Sequence, residues 1–119
     1  MVRSTVPKRG DVYVVDLNPV IGRKMRDEHR CVVITPAEIN AIGMCLVVPV
    51  TSGGQFIRTV GLAVNISGHK TTGIAVCNQV RGMDIAERVR QKSARHVETL
   101  DEATVDEIAA RVTSMIDPA

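Results

Sequence analysis

The residues of this 119-residue chain best equipped for chemistry stand at the end of an apolar stretch. Residues 44–50 are apolar and partly β-branched, which predicts a strand buried on at least one face. The stretch runs into Thr51 and Ser52, two hydroxyls, and then into Gly53 and Gly54. Paired glycines accept backbone conformations closed to other residues and let amide N–H groups approach a ligand. Hydroxyls and free amides at a strand mouth suit an anionic oxygen such as that of a phosphate. The same four residues also make ordinary turn chemistry, and the motif alone leaves both readings open. A second concentration of charge lies in a long loop over 18–28, where Arg23, Lys24 and Arg26 follow Gly22. Long loops in small domains commonly carry function.

The elements that must position these groups follow from local pattern. After a polar, basic lead-in, Gly10-Asp11 opens a strand over 12–17 that Asn18-Pro19 closes. A second strand is predicted over 29–35. Its alternation puts Arg30, Val32 and Ile34 on one face and His29, Cys31 and Val33 on the other. Thr35-Pro36-Ala37-Glu38 reads as a capping box with proline at the first helical position, and the short helix stops at Gly43. The third strand covers 44–51, and its loop runs to 58. Further strands are predicted over 59–66 and 73–79, joined by a turn over 67–72. Met83-Asp84-Ile85 reads as a short strand, and Arg88, Arg90, Lys92 and Arg95 as a basic run. Thr99 with Glu102 makes a second capping box, opening a helix whose stripe is Val105, Ile108, Ala109, Val112 and Ile116. Five or six strands, one inserted helix and a C-terminal helix predict a mainly β domain with α: a small, twisted, partly closed antiparallel barrel. Residues 1–119 are expected to form one domain.

Composition narrows the class. Apolar residues make up 45% and charged residues 24%, the balance of a soluble globular protein. No apolar run reaches the ~18–20 residues that span a bilayer, and the basic N-terminus lacks the apolar core of a signal peptide. A cytoplasmic location without membrane contact is expected. Cys31, Cys45 and Cys77 each sit inside an apolar run without metal-type spacing, which predicts reduced core residues and no metal or other cofactor. Residues 1–97 carry fourteen Lys and Arg against seven Asp and Glu, while residues 98–119 carry one against six. A basic body with an acidic end segment points to a polyanionic or acidic partner. Tyr13 and Phe56 are the only aromatics, which argues against a base-stacking platform. Any nucleic acid must be held by charge and hydrogen bonds.

In order, the chain carries Arg9-Gly10-Asp11-Val12-Tyr13-Val14-Val15-Asp16-Leu17-Asn18-Pro19, then His29-Arg30 before an apolar strand. Val48-Pro49-Val50-Thr51-Ser52-Gly53-Gly54-Gln55-Phe56 follows, with Arg58-Thr59, Thr71-Thr72-Gly73 and Asn78-Gln79-Val80-Arg81. This series resembles the MazF/PemK (Kid-like) toxins of type II toxin–antitoxin systems, over nearly the whole chain. The resemblance implies an SH3-like barrel and a homodimer. It also implies a ribosome-independent, sequence-specific endoribonuclease on single-stranded RNA, and a cognate antitoxin whose disordered acidic tail covers the RNA groove.

Metal-free RNA cleavage requires deprotonation of the 2′-OH, stabilisation of charge on the scissile phosphate and protonation of the 5′-oxygen. By the resemblance, Arg30 matches the catalytic arginine. A guanidinium with a pKa above ~12 is a poor base, so its role is phosphate binding and charge stabilisation. Thr51 matches the active-site threonine, and Ser52 beside it is a further phosphate contact. Gln79 and Arg81 are candidate RNA contacts, and Arg23, Lys24 and Arg26 supply electrostatic RNA binding. The chain departs from the family pattern at Lys24, where many members carry a glutamate, at Val76 and Asn78, and at Cys31, where proline is usual. No base remains at the family's positions. Glu28 is the substitute, because extended backbone puts it on the face of Arg30; His29 is second, pointing the other way.

Three other readings compete. One is a non-catalytic RNA- or antitoxin-binding module on the same barrel, motivated by the missing base. Another is a gyrase-poisoning toxin, opposed by an end segment without tryptophan. The third is tight DNA binding, opposed by the absence of a helix-turn-helix pattern.

Overall fold

The computed structural model describes residues 6–17, 28–52 and 61–117. In chain order these form β1 (Asp11–Asp16), β2 (Glu28–Val33), α1 (Ala37–Asn40), β3 (Cys45–Thr51), β4 (Ala63–Ile66), β5 (Gly73–Val76), a 3-10 turn (Cys77–Gln79), β6 (Arg81–Met83), α2 (Ile85–Arg90), β7 (Ala94–Thr99) and α3 (Glu102–Ile116). Among the described residues the strands make one sheet in the order β4-β5-β3-β2-β1-β7, with β6 paired to β3 off that path. Every pairing is antiparallel.

The sheet separates two apolar clusters, and alternation along its strands assigns them. Val12 and Val32 face a cluster shared with Val48, Val64, Ala75 and the α3 residues Val105, Ile108 and Val112. Tyr13, Val15, Cys31 and Val33 face a second, closed by Met83, Ile85 and Ala94. The three cysteines are buried and free. No helix among the described residues is long and apolar enough to cross a membrane.

Strand β3 changes neighbour along one edge. Residues Cys45 to Val47 pair with β6, whereas Val50 and Thr51 pair with β5. Pro49 falls in the gap between, which is how a residue without a backbone N–H is tolerated inside a sheet.

Several local expectations are corrected. Pro36 is the N-cap of α1, without a side-chain bond, so Thr35 caps nothing. Its hydroxyl instead donates to Asn40 Oδ1 at 2.5 Å and accepts from the Leu46 amide, tying the helix to β3. The strand from Gly73 ends at Val76, and Cys77–Gln79 coil into the 3-10 turn. The residues read as a strand around Asp84 divide into β6 before it and α2 after it, with the Asp84 carboxylate accepting from the Glu87 amide as N-cap. The C-terminal helix is capped by Asp101. Thr99 lies in β7 and donates to Asp11 Oδ1 at 2.7 Å. Ile116, placed on the buried stripe, is 79% exposed at the frayed end of α3. Of the predicted strand over 59–66, residues 59 and 60 lie outside the described residues.

Candidate active site

Arg30 is the third residue of β2, half-buried, standing between Val14 on β1 and Val50 on β3. It shares its face of the sheet with Val32 and hence with the α3 side of the molecule. Its Nη1 donates to the hydroxyl of Thr71 at 2.9 Å. Among the described residues, no carboxylate lies in ion-pair range of this guanidinium. Among the described residues, its charge is oriented by a neutral oxygen rather than a carboxylate.

Thr71 is fully buried because the turn between β4 and β5 folds back over the corner where β7 meets α3. Glu98 of β7 anchors it there. One carboxylate oxygen accepts from the Lys70 amide at 3.1 Å, and the other from the Thr71 amide. Burial pushes the Glu98 carboxyl up, but the adjacent Thr71 side chain, hydrogen bonds from the two amides and the nearby His69 outweigh it and hold the group below the usual carboxylate range. His69 completes the corner, with Nε2 at 2.8 Å from Asp101 Oδ1. Hydrogen bonds from His69, then from Thr104, hold the Asp101 carboxyl down at about 2.

Thr51 ends β3 and is exposed, as is Ser52 after it. In the ladder Val50, not Thr51, stands opposite Arg30, and Thr51 pairs with Ile74 of β5. The hydroxyl placed on the guanidinium is that of Thr71. The backbone of Thr51 is packed against Gly73, where a Cβ would lie 2.6 Å from the Thr51 carbonyl oxygen.

Glu28 opens β2, exposed and on the face of Arg30, across from the buried Asp16. His29 is exposed on the other face. Gln79 is exposed in the 3-10 turn, and Arg81 is exposed at the start of β6. The register Val33–Val47–Arg81 puts Arg81 on the face opposite Arg30, so the strand ladder does not bring those two arginines together. Arg23, Lys24 and Arg26 lie outside the described residues. The sequence reading did not single out Thr71, Glu98 or Asp16 as site residues. Thr71 left a signal as part of the Thr71-Thr72-Gly73 motif and Asp16 as part of the run from Arg9 to Pro19, whereas Glu98 left none.

Comparisons with known proteins identify the family. Residues 8–116 match the family model described as PemK-like, MazF-like toxin of type II toxin–antitoxin system. The endoribonuclease PemK of Escherichia coli is 32% identical over 117 residues, covering 96% of this chain and 85% of that protein. The endoribonuclease toxin ChpB of Escherichia coli strain K12 is 29% identical over 120 residues, covering 98% and 100%. Among solved structures, a MazE-MazF crystal structure (Form-III) from Deinococcus radiodurans superposes with a TM-score of 0.73 at 20% identity, covering 94% of this chain and 97% of that one. An endoribonuclease in complex with its cognate antitoxin from a mycobacterial species gives 0.66 at 15% identity, covering 93% of each chain. Those two likenesses speak to the fold: a twisted, mainly antiparallel sheet with a C-terminal helix. On the strength of the family match along nearly its whole length, the chain belongs to the PemK-like, MazF-like toxins of type II toxin–antitoxin systems.

Proposed function

We propose that this toxin is a sequence-specific endoribonuclease that cuts single-stranded RNA without a metal ion and without the ribosome. The observation that carries this reading is the Arg30 guanidinium, aimed by the Thr71 hydroxyl and free of any carboxylate partner among the described residues. The names of the relatives, both endoribonucleases, support it.

The reaction is an in-line attack of a ribose 2′-oxygen on the adjacent phosphorus. The P–O5′ bond breaks and the departing 5′-oxygen takes a proton from solvent water, leaving a 2′,3′-cyclic phosphate and a 5′-hydroxyl end. Arg30 stabilises the charge that develops on the non-bridging oxygens. Thr51 and Ser52, exposed at the end of β3, hold the same phosphate, and Glu28 accepts the 2′-OH proton. Arg23, Lys24, Arg26, Gln79 and Arg81 engage the RNA beyond the scissile bond. The partners are a cognate antitoxin with a disordered acidic tail and a second copy of the chain. The antitoxin complexes among similarly folded proteins support the first. Sedimentation at twice the 12.9 kDa chain mass is the expected result for the second; a monomer at micromolar concentration would remove it.

The test is a long single-stranded RNA incubated with the protein in EDTA, with the cut ends mapped. Discrete cuts that resist EDTA and fall by about 10²–10³-fold in Arg30→Ala are expected. Glu28→Gln is expected to lower the rate by about 10²-fold or more, and cleavage unchanged in that variant would remove Glu28 as the base. Intact RNA that the folded protein nevertheless retards on a gel would favour the non-catalytic binding module.

A further inference from the structure

We infer that Glu98 is a positioning residue for Arg30: it grips the Lys70 and Thr71 amides, and so fixes the residue whose side-chain oxygen aims the guanidinium. This rests on the ribonuclease reading above. Glu98 and Arg30 lie on separate strands and are joined through one residue. The Arg30 Nη1 donates to Thr71 Oγ1 at 2.9 Å, and the backbone amide of the same Thr71 donates to Glu98. A threonine hydroxyl oxygen carries two lone pairs, and one of them accepts from Arg30. The two amides clamp the turn backbone, and the Thr71 side chain carries that placement to Arg30.

The arrangement also settles a conflict of charge. A carboxylate placed directly on Arg30 would orient it well and neutralise it. With Thr71 interposed, Glu98 orients the guanidinium while that guanidinium has no ion-pair partner among the described residues. Glu98 is well placed for this task, its side chain only 12% exposed and buried by the folded-back turn.

The experiment measures kcat and KM on a short RNA substrate for Glu98→Gln, Thr71→Val, Thr71→Ser and the Glu98→Gln/Thr71→Val double variant. Melting curves establish which variants are folded. Glu98→Gln and Thr71→Val are expected to lose about tenfold or more in kcat with KM within about twofold, because a misaimed guanidinium weakens the transition state more than the ground state. The double variant should be no slower than the worse single one, and Thr71→Ser should stay within about threefold of wild type. Wild-type kcat in Glu98→Gln, or losses that simply multiply, would overturn the inference. If Glu98→Gln does not fold, the contrast between Thr71→Val and Thr71→Ser decides in its place. If the wild type cuts no RNA, the ribonuclease reading fails, and the clamp is read from the Nη nitrogen signals of Arg30. Slow rotation in wild type and averaging in Thr71→Val support it; averaging in both overturns it.

Discussion

A side chain at Gly73 would collide with the Thr51 carbonyl oxygen, and the glycine also holds a φ of +140°, which L side chains rarely adopt. Gly73→Ala must push β5 away from the end of β3, where Thr51 and Ser52 stand. It is expected to cost about 1–3 kcal/mol, read as a lower urea midpoint, and to slow RNA cleavage through displacement of Thr51. A variant as stable and active as wild type would show that the contact relaxes freely. At this scale the sequence was half legible. Arg30 and Thr51 stand in motifs that a reader can match. The Thr71–Glu98 pair spans 27 positions and the Arg30–Thr71 pair 41, and neither partner has a local pattern announcing the other. Such pairings exist only once a turn has folded over a distant corner.

Elements were read well where burial imposed a period and poorly where a cap or an edge decided. β2 showed its alternation because each face meets a different apolar cluster. β7 did not, because it is an edge strand with Arg95 and His96 exposed and a register shift opposite Val12 and Tyr13. α2 was missed although its signal was present: Asp84 and Glu87 have the spacing of a capping box. Both threonine caps failed for one reason, since Thr35 and Thr99 had stronger partners in Asn40 and Asp11. The cap of α3 carries a pH prediction. Asp101 is held down at about 2 by His69 and then Thr104, against an ordinary value of 3.8. A carboxyl depressed on folding contributes stability that is whole above its ordinary value and is lost as pH falls through the depressed one. Glu98, also held low, acts in the same direction. Thermal melts from pH 5 to pH 2 should therefore fall less steeply for Asp101→Asn than for wild type, and parallel curves would contradict this.

Across the whole molecule, the mainly β pattern with its C-terminal helix was legible because the apolar runs outnumber the ambiguous ones. The seam in β3 was not, although Pro49 marked it: a proline within an apolar run says that a ladder is interrupted without saying which strands meet there. Charge was legible too. A body with twice as many basic as acidic residues up to position 97 should hold single-stranded nucleic acid largely through its phosphates. Retention of a non-cleavable 2′-deoxy oligonucleotide should weaken with salt, with a log–log slope of about −0.7 for each phosphate neutralised. A slope near zero would show that the backbone is not engaged.

The three cysteines have a consequence for how the chain meets oxidants. Burial pushes the Cys31 and Cys77 thiols up to about 11 and raises that of Cys45, and the reactive form of a thiol is the thiolate. Sitting on β2, on β3 and at the turn after β5, they are spread through the fold rather than gathered at one point. The folded toxin is therefore chemically silent at sulfur, and an alkylating reagent reaches a thiol only when the chain opens. With reagent in sufficient excess to modify a thiol before the chain recloses, each sulfur is a clock for the opening of its own part of the molecule; with less, it reports how much of the time that part is open.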